Sequence, residues 1–287
     1  MQIERTSLQP GLYFVATPIG SARDITLRAL DILASADVLV AEDTRTLKHL
    51  MRLHGVTLGD RQVLAYHDHS GEAMRQRITA LIAEGRSVAY ASEAGTPLVA
   101  DPGFQLGRSA IAAGQMVTTA PGASAVLAAL TIAGLPSDRF LFAGFPPHSA
   151  GARRKWLAEL ADCQATLVLY ESPKRVKQLL DDLVPSFGEE RKAAVCRELT
   201  KKFEEVCRGT LAELQAEFAD RSVKGEVVVL VDRGDVAAAS DEDIEEMLIR
   251  ALANLSVKDA SAEVAGVLNL PKRQVYQLAL EIAKREE

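Results

Sequence analysis

The stretch Ser87-Val88-Ala89-Tyr90-Ala91-Ser92-Glu93-Ala94-Gly95-Thr96-Pro97-Leu98-Val99-Ala100-Asp101-Pro102-Gly103 decides how the chain is read. Its first four residues form a short apolar run of the kind a buried strand shows. Phe104 to Gly114 beyond it reads as a helix with Pro102 near its first turn. Between them lies a strand-to-helix loop carrying two glycines, two prolines, two carboxylates and two hydroxyls. A loop that only connects such elements takes roughly 2–6 residues, and this one is about twice that. Ligands of open α/β sheets sit at the carboxyl ends of strands, where loops of this kind lie. Taken alone it reads equally as a Gly/Pro-rich turn or as a small-molecule cradle.

Upstream the same alternation repeats. Residues 12–16, 38–41 and 63–66 read as strands, and 24–34, 44–53 and 75–84 as helices, the first with Asp24 as N-cap. Downstream, 115–119 reads as a fifth strand, followed by Pro121-Gly122 and a helix over 124–133. This regularity predicts a largely parallel sheet covered on both faces, in a first α/β domain over residues 1–136. Leu135-Pro136-Ser137-Asp138 marks the boundary. A second α/β domain over 137–235 has strands at 140–144, 165–170, 193–196 and 227–231, and helices at 153–160, 176–183 and 211–218. Residues 203–208 read as an added antiparallel strand, so its sheet is expected to be mixed. The small-residue linker 234–240 leads to a helical segment, 236–287, with helices at 241–253, 257–268 and 271–284. The tight joint Asn269-Leu270-Pro271 gives the last two a helix-turn-helix look, with Lys272, Arg273, Gln274 and Tyr276 opening the recognition helix. A plain three-helix packing element fits as well. The tail carries six basic and ten acidic side chains, which weighs against nucleic-acid contact through it.

Hydrophobic residues make up 48% of the 287 and charged residues 25%, a globular and not a disordered composition. The net charge of −6 gives no global field for nucleic acid, so any RNA contact must use a local patch. Cys163, Cys196 and Cys207 are odd in number and show no metal-ligand spacing, which points to a reducing compartment. No apolar leader is visible in residues 1–10, and the most apolar stretch, 124–135, falls short of the roughly 20 residues that cross a bilayer. A cytoplasmic protein without a membrane partner is expected.

No GxGxxG follows a strand and no GxxxxGK[ST] occurs, so the usual dinucleotide and triphosphate cradles are missing. There is no GxSxG nucleophile elbow either. Five strand-end loops remain: Thr17-Pro18-Ile19-Gly20, Glu42-Asp43-Thr44-Arg45, the 93–103 loop, Pro121-Gly122-Ala123-Ser124-Ala125 and Tyr170-Glu171-Ser172-Pro173-Lys174-Arg175. Loops without phosphate cradles suit a nucleoside-like ligand bearing positive charge, such as S-adenosylmethionine.

Together, ATPIG, AEDTR, YHDHS, AGTP…DPG, PGASA, YESPKR, RELTK and KGEVVVLV, in this order from Gly11 to about Asp232, resemble the small-subunit ribosomal RNA cytidine 2′-O-methyltransferases. These belong to the tetrapyrrole-methylase-like group of S-adenosylmethionine enzymes. The tail resembles that family's helical C-terminal segment. Two departures stand out: Pro18-Ile19-Gly20-Ser21-Ala22 where the family has PIGN-Leu, and Ser92-Glu93-Ala94-Gly95 where it has Ser-Asp-Ala-Gly. The extra methylene of Glu93 keeps the carboxylate but moves it.

The resemblance implies two α/β domains of the tetrapyrrole methylase (class III methyltransferase) type plus the small helical segment, with S-adenosylmethionine folded between the domains. It carries cofactor contacts onto Pro18 and Gly20, onto Glu93, Ala94, Gly95 and Thr96 at the polar end, and onto Ser124 and Ala125. Tyr170 and Glu171 would close from the second domain, and Leu199, Gly225 and Glu226 would border the adenine. Core packing reads equally well for Leu199 and Tyr170. Methyl transfer would be direct displacement by a ribose hydroxyl, with Asp43, Glu42 and Asp101 as candidate proton acceptors and His67 in the same loops. Asp43 reads equally as a structural partner of Arg45. His67-Asp68-His69 has no third ligand at metal spacing, so no metal is expected. Candidate RNA contacts are Arg45, His67, Arg153 and Arg154 with Lys155, Lys174 and Arg175, and Lys201 with Lys202. Trp156 reads either as a stacking face or as an amphipathic-helix core residue. The implied partner is small-subunit ribosomal RNA, alone or in the assembled subunit, and the implied state is a homodimer. Two rival readings are a tetrapyrrole C-methyltransferase of the same fold, which would want more apolar walls, and a ligand-sensing regulator whose tail binds DNA.

Overall fold

The computed structural model describes residues 3–67, 70–234, 241–268 and 270–285. The first half alternates β1 (Gly11–Val15), α1 (Leu27–Ser35), β2 (Val38–Ala41), α2 (Thr44–Leu53), β3 (Gln62–Ala65), α3 (Glu72–Ala83), β4 (Ser87–Ala91), α4 (Phe104–Ala112), β5 (Val117–Ala120) and α5 (Ala125–Ala133). The five strands pair in parallel, in the order β3-β2-β4-β1-β5. β1, β2 and β4 are buried along their whole length, as the continuous apolar runs require when helices cover both faces. One face packs Leu30, Leu33, Leu47 and Met51, and the other packs Ile78, Ile82 and Leu106 around Tyr90.

Register brings the loops together. Val15 lies opposite Ala91 on one side and Ala120 on the other, so β1, β4 and β5 end level. Their exits, residues 16–20, 92–103 and 121–124, therefore share one edge of the sheet. Chain order reverses there, because β1 and β4 are neighbours although two other strands separate them in sequence.

The second sheet holds β6 (Phe140–Gly144), β7 (Thr166–Glu171), β8 (Lys192–Arg197), β9 (Glu205–Thr210) and β10 (Val227–Val231), in the order β6-β7-β10-β8-β9. β6 and β7 run parallel and the other pairs antiparallel, so the sheet is mixed as the sequence suggests. α6 (Ala150–Leu160), α7 (Val176–Phe187) and α8 (Leu211–Phe218) pack against it. Val227 lies between Glu171 and Arg197, so β10 begins where β7 and β8 end. α5 buries Val126, Ala129, Leu130 and Ala133 on this sheet, against Val168, Ala194 and Val228, while Leu127 and Thr131 stay exposed. Arg208 donates to the Ile132 carbonyl at the end of α5, giving a polar clasp beside that apolar joint.

The tail is a separate core of α9 (Asp241–Leu252), α10 (Val257–Leu268) and α11 (Lys272–Arg285), closed by Ile244, Leu248, Val264, Val275 and Ile282. The expected boundary at 235 and linker 234–240 fall outside the described residues beyond Gly234, as does Asn269 of the joint. No helix among the described residues is long and apolar enough to cross a membrane.

Helix starts differ from the sequence reading where a cap decides them. α1 begins three residues later than expected, because Asp24 lies in a turn, its N–H donating to the Ser21 carbonyl, and Thr26 supplies the cap through Oγ1. α6 and α3 begin earlier, at Ala150 and Glu72, with Ser149 and Gly71 as N-caps, the former capping with its hydroxyl. Trp156 packs against the second-domain core, so the packing reading holds for it.

Candidate active site

The two aligned loop edges enclose a cavity of about 360 Å³. From the first domain come Ile19, the 94–96 turn, Val99 to Asp101, and Ser124 with Ala125. From the second come Phe145, Tyr170 to Pro173, and Gly225 to Val228. Its volume is that of a small-molecule site.

The 93–103 loop is held by its neighbours. Thr17 and Gly95 exchange both backbone hydrogen bonds at 3.0 Å, an antiparallel bridge between the first and fourth exits. Ser92 donates its hydroxyl to the Gly95 carbonyl, and Thr96 Oγ1 donates to the Ala123 carbonyl at 3.0 Å, which ties in the fifth exit. The Tyr90 hydroxyl donates to the Pro102 carbonyl at 2.8 Å and fixes the far end of the loop. Gly95 has φ +83°, and an added Cβ would lie 3.2 Å from Ile19 Cγ2. Leu98 and Ala100 also take positive φ, 71° and 54°, conformations that cost a side-chain-bearing residue about 1–3 kcal/mol each. Strain of this kind persists only where surrounding bonds impose it, and here those bonds shape one wall of the cavity.

The opposite wall depends on Gly225. Its φ is +88°, and a Cβ there would lie 2.3 Å from the Glu198 carboxylate. Glu198 itself has φ +52° and accepts from the Glu226 N–H at 3.1 Å. Lys201 Nζ stands 2.9 Å from both Glu198 Oε1 and Glu226 Oε2, and its ammonium holds the Glu198 carboxyl below the ordinary carboxylate range. Burial pushes the Tyr170 phenol up, so it stays protonated at neutral pH.

Among the described residues no lysine or arginine lines the cavity, whereas Asp101, Glu171 and Glu226 do. That balance disfavours a polyphosphate and suits a ligand with a cationic centre. The apolar walls, Ile19, Val99, Phe145, Val227 and Val228, suit a planar heterocycle. These residues fit S-adenosylmethionine.

The structure places the candidate cofactor residues in two groups. Ala94, Gly95, Thr96, Ser124, Ala125, Tyr170, Glu171, Gly225 and Glu226 line the cavity. Pro18, Gly20, Glu93 and Leu199 are not among its lining residues. Glu93 is exposed, Leu199 is buried in the core between the sheets, and Gly20 packs on the 199–201 backbone and side chains. Glu171 reaches the cavity with its carboxylate already engaged by the Ser172 N–H and by Arg175.

Of the candidate acceptors, Asp101 lines the cavity and Glu42 and Asp43 do not. Asp43 caps α2 by accepting from the Arg45 N–H, and it also accepts from the Arg45 guanidinium. Hydrogen bonding by that guanidinium lowers its carboxyl to about 2.

The basic candidates divide as well. Arg153 turns inward, only 4% exposed, and pairs with Asp182 at 2.6 Å, because α6 packs that face on α7. Arg175 is spent on Glu171 and on the Pro146 and Pro147 carbonyls. Lys201 is the clamp described above. Arg45, Arg154, Lys174 and His67 remain exposed. Asp68 and His69 of the His67-Asp68-His69 motif lie outside the described residues, and no metal-binding group of three occurs among the described ones. The residue sequence reasoning missed is Phe145. It follows the β6 strand at a strand-end position like the other loops, and its neighbours Pro146-Pro147 were a usable loop signal.

Comparison with known proteins agrees with this geometry. The sequence model described as Tetrapyrrole (Corrin/Porphyrin) Methylases matches residues 11–215, and that of the RsmI C-terminal HTH domain matches residues 238–283. A protein named ribosomal RNA small subunit methyltransferase I from Mesorhizobium japonicum is 44% identical over 98% of this chain and 95% of its own length. Its namesakes from Xylella fastidiosa and Mycobacterium tuberculosis are 42% and 43% identical over 93% and 94% of this chain, covering 98% and 94% of theirs. Among solved structures, the cobalt precorrin-4 methyltransferase CbiF superposes with TM-score 0.58 at 19% identity, over 77% of this chain and 94% of that one. The methyltransferase CobJ does so with TM-score 0.59 at 21% identity, over 78% and 95%. At such identities these structures speak for the fold.

Proposed function

Because this chain belongs to the tetrapyrrole (corrin/porphyrin) methylase family, and within it to the ribosomal RNA small subunit methyltransferases I, we propose that it methylates the 2′-oxygen of a cytidine ribose in small-subunit ribosomal RNA. The methyl donor is S-adenosylmethionine. The observation that carries the reading is the cavity between two level loop edges, lined by carboxylates and apolar walls and, among the described residues, by no lysine or arginine. When bound, the cofactor supplies a methyl group on a sulfonium, an electrophile that needs no further activation.

The chain's own residues then have three tasks. The 94–96 turn and the Gly225-Glu226 backbone would hold the donor and orient it toward the incoming ribose oxygen. Phe145 and Tyr170 would cover it from the second domain and exclude water. Asp101 would accept the proton of the attacking ribose hydroxyl, while the sulfonium would supply the methyl and keep the electron pair of the broken C–S bond. Asp43 does not line the cavity and is engaged by Arg45. Exposed Arg45, Arg154 and Lys174 meet the RNA backbone. The same reading has the enzyme act in the cytoplasm, as a homodimer, on RNA within the assembled small subunit. A tetrapyrrole substrate has less support, since relatives matching almost the full chain carry the ribosomal RNA name.

The test is incubation with methyl-labelled S-adenosylmethionine and small ribosomal subunits from cells lacking this activity, followed by mass spectrometry of the nucleosides. Label on one cytidine 2′-oxygen is the expected result. Tight cofactor binding with no label on subunits or naked RNA would move the substrate to a small molecule.

A further inference from the structure

A second concavity, about 340 Å³, opens on the other side of Gly225. Gly225 lines both spaces, so the groove adjoins the cofactor cavity. Its walls include Arg197, Phe203, Arg221 and Lys224. Phe203 is 64% exposed, and Lys202 Nζ lies 5.6 Å from its ring centroid.

A single exposed aromatic is ordinary; this one is held in place. It belongs to the 198–204 loop, where Glu198 and Thr200 take φ of 52° and 63°. The Lys201 clamp pins that loop to Glu226. Thr200 is fixed twice, its N–H donating to Glu204 at 2.6 Å and its Oγ1 accepting from the Ser21 N–H at 3.1 Å. The second of these bonds comes from the first domain, so both domains brace the loop that carries Phe203 at the edge of the active site. A braced loop presents the ring at a set place, which limits what must be ordered when something stacks on it.

The charges around it have distinct uses. Arg197 and Arg221 are engaged by Glu205, and Arg221 also by Glu217, so they build the wall. Lys202 and Lys224 are exposed and form no ion pair among the described residues. An exposed aromatic ring with the Lys202 ammonium over one face and Lys224 in the same groove wall suits an unpaired nucleotide, its base on the other face of the ring and its phosphate on a lysine.

We propose that this groove receives the RNA nucleotide adjacent to the methylated one, its base stacked on Phe203 and its phosphate met by Lys202 or Lys224. The assignment rests on the RNA reading above. The test compares the full-length wild type with Phe203→Ala and Phe203→Tyr in steady-state methylation of small subunits, with calorimetric titration of S-adenosylmethionine alongside. Phe203→Ala should lower kcat/KM about tenfold, mainly through KM, with the cofactor Kd within about twofold of wild type. Phe203→Tyr, which keeps the stacking face, should recover most of the loss. Unchanged kcat/KM in Phe203→Ala overturns the assignment. So does a loss that tyrosine does not recover, or one matched by weaker cofactor binding. If wild type methylates subunits and Phe203→Ala does so equally, only the groove assignment fails. If wild type leaves the RNA unmethylated, the RNA reading fails and takes this one with it.

Discussion

At Gly225 the absence of one carbon decides the shape of the site. Alanine there would adopt a left-handed conformation at a cost of about 1–2 kcal/mol and drive its Cβ into the Glu198 carboxylate. Glu198 cannot move without releasing Lys201 and the Glu226 N–H. Gly225→Ala should therefore weaken S-adenosylmethionine binding at least about tenfold by calorimetry, a loss of about 1.4 kcal/mol, with far-UV circular dichroism unchanged. A second residue-scale prediction separates the carboxylates. At saturating substrates, Asp101→Asn should lower kcat about a hundredfold or more, the low end of what a positioned base contributes. Asp43→Asn keeps an α2 cap and should stay within about threefold. Because the folded Asp43 carboxyl titrates near 2, its charge is constant across pH 5–9 and it adds no inflection to the rate profile there. A hundredfold fall in Asp43→Asn would reverse the two roles. That Gly225, Glu226 and Asp101 come to the cavity was partly legible from the KGE and DPG motifs. That Arg153 would be consumed by Asp182 on α7, and Lys201 by Glu226 as well as by Glu198 of its own loop, was not, because Asp182 and Glu226 are far away in sequence.

The elements themselves were legible wherever one periodicity dominated. Fully buried β1, β2 and β4 announce a parallel sheet, and Glu205–Thr210 emerged as the added antiparallel strand expected near 203–208. Helix starts were less legible, since capping depends on which hydroxyl the backbone turns toward the first N–H groups, as Thr26 in place of Asp24 shows. Sequence also could not say that β9 is anchored by charge. Arg221 hydrogen-bonds Glu205 and holds its carboxyl below the ordinary range, with Arg197 assisting. A carboxyl lowered on folding adds stability above its unfolded value near 4.5, and that stability is lost as the pH falls through the folded value. The carboxylate is about one-third exposed, so solvent screening keeps the pair to under about 1 kcal/mol. Glu205→Gln should lower Tm at pH 7 by about 1–4 °C and narrow the gap between the Tm values at pH 7 and pH 3.5. Thermal scans at the two pH values check both parts, and a gap as wide as in wild type would remove Glu205 from the acid response.

Across the whole molecule, the joint between the two sheets is the feature no local pattern announces. α5 belongs to the first domain in sequence yet buries its outer face on the second sheet, and the two loop edges meet because of that packing. Its apolar run is the trace left in the sequence, silent about which sheet takes Val126, Ala129, Leu130 and Ala133 while Leu127 and Thr131 stay exposed. The tail has the opposite character. Ile244, Leu248, Val264, Val275 and Ile282 close a core among α9, α10 and α11, and none of its residues is among those lining the cavity. Its charge is also divided. Asp241, Glu242, Asp243, Glu245 and Glu246 fall on α9, whereas Lys272 and Arg273 open α11, so a net acidic count conceals a basic helix start. A chain ending at Gly234 keeps both sheets, the α5 joint and every lining residue of the cavity. It should bind S-adenosylmethionine with a Kd within about twofold of the full chain, since an independent core contributes to a cavity it does not line only through coupling. If the basic start of α11 helps hold RNA, the same truncation should raise KM for small subunits while leaving kcat nearly unchanged, and should make binding less sensitive to salt. Calorimetry on the truncated chain reads the first outcome and salt-dependent methylation the second. A tenfold loss of cofactor affinity would mean that the tail braces the cavity, and unchanged RNA kinetics would leave it a packing element.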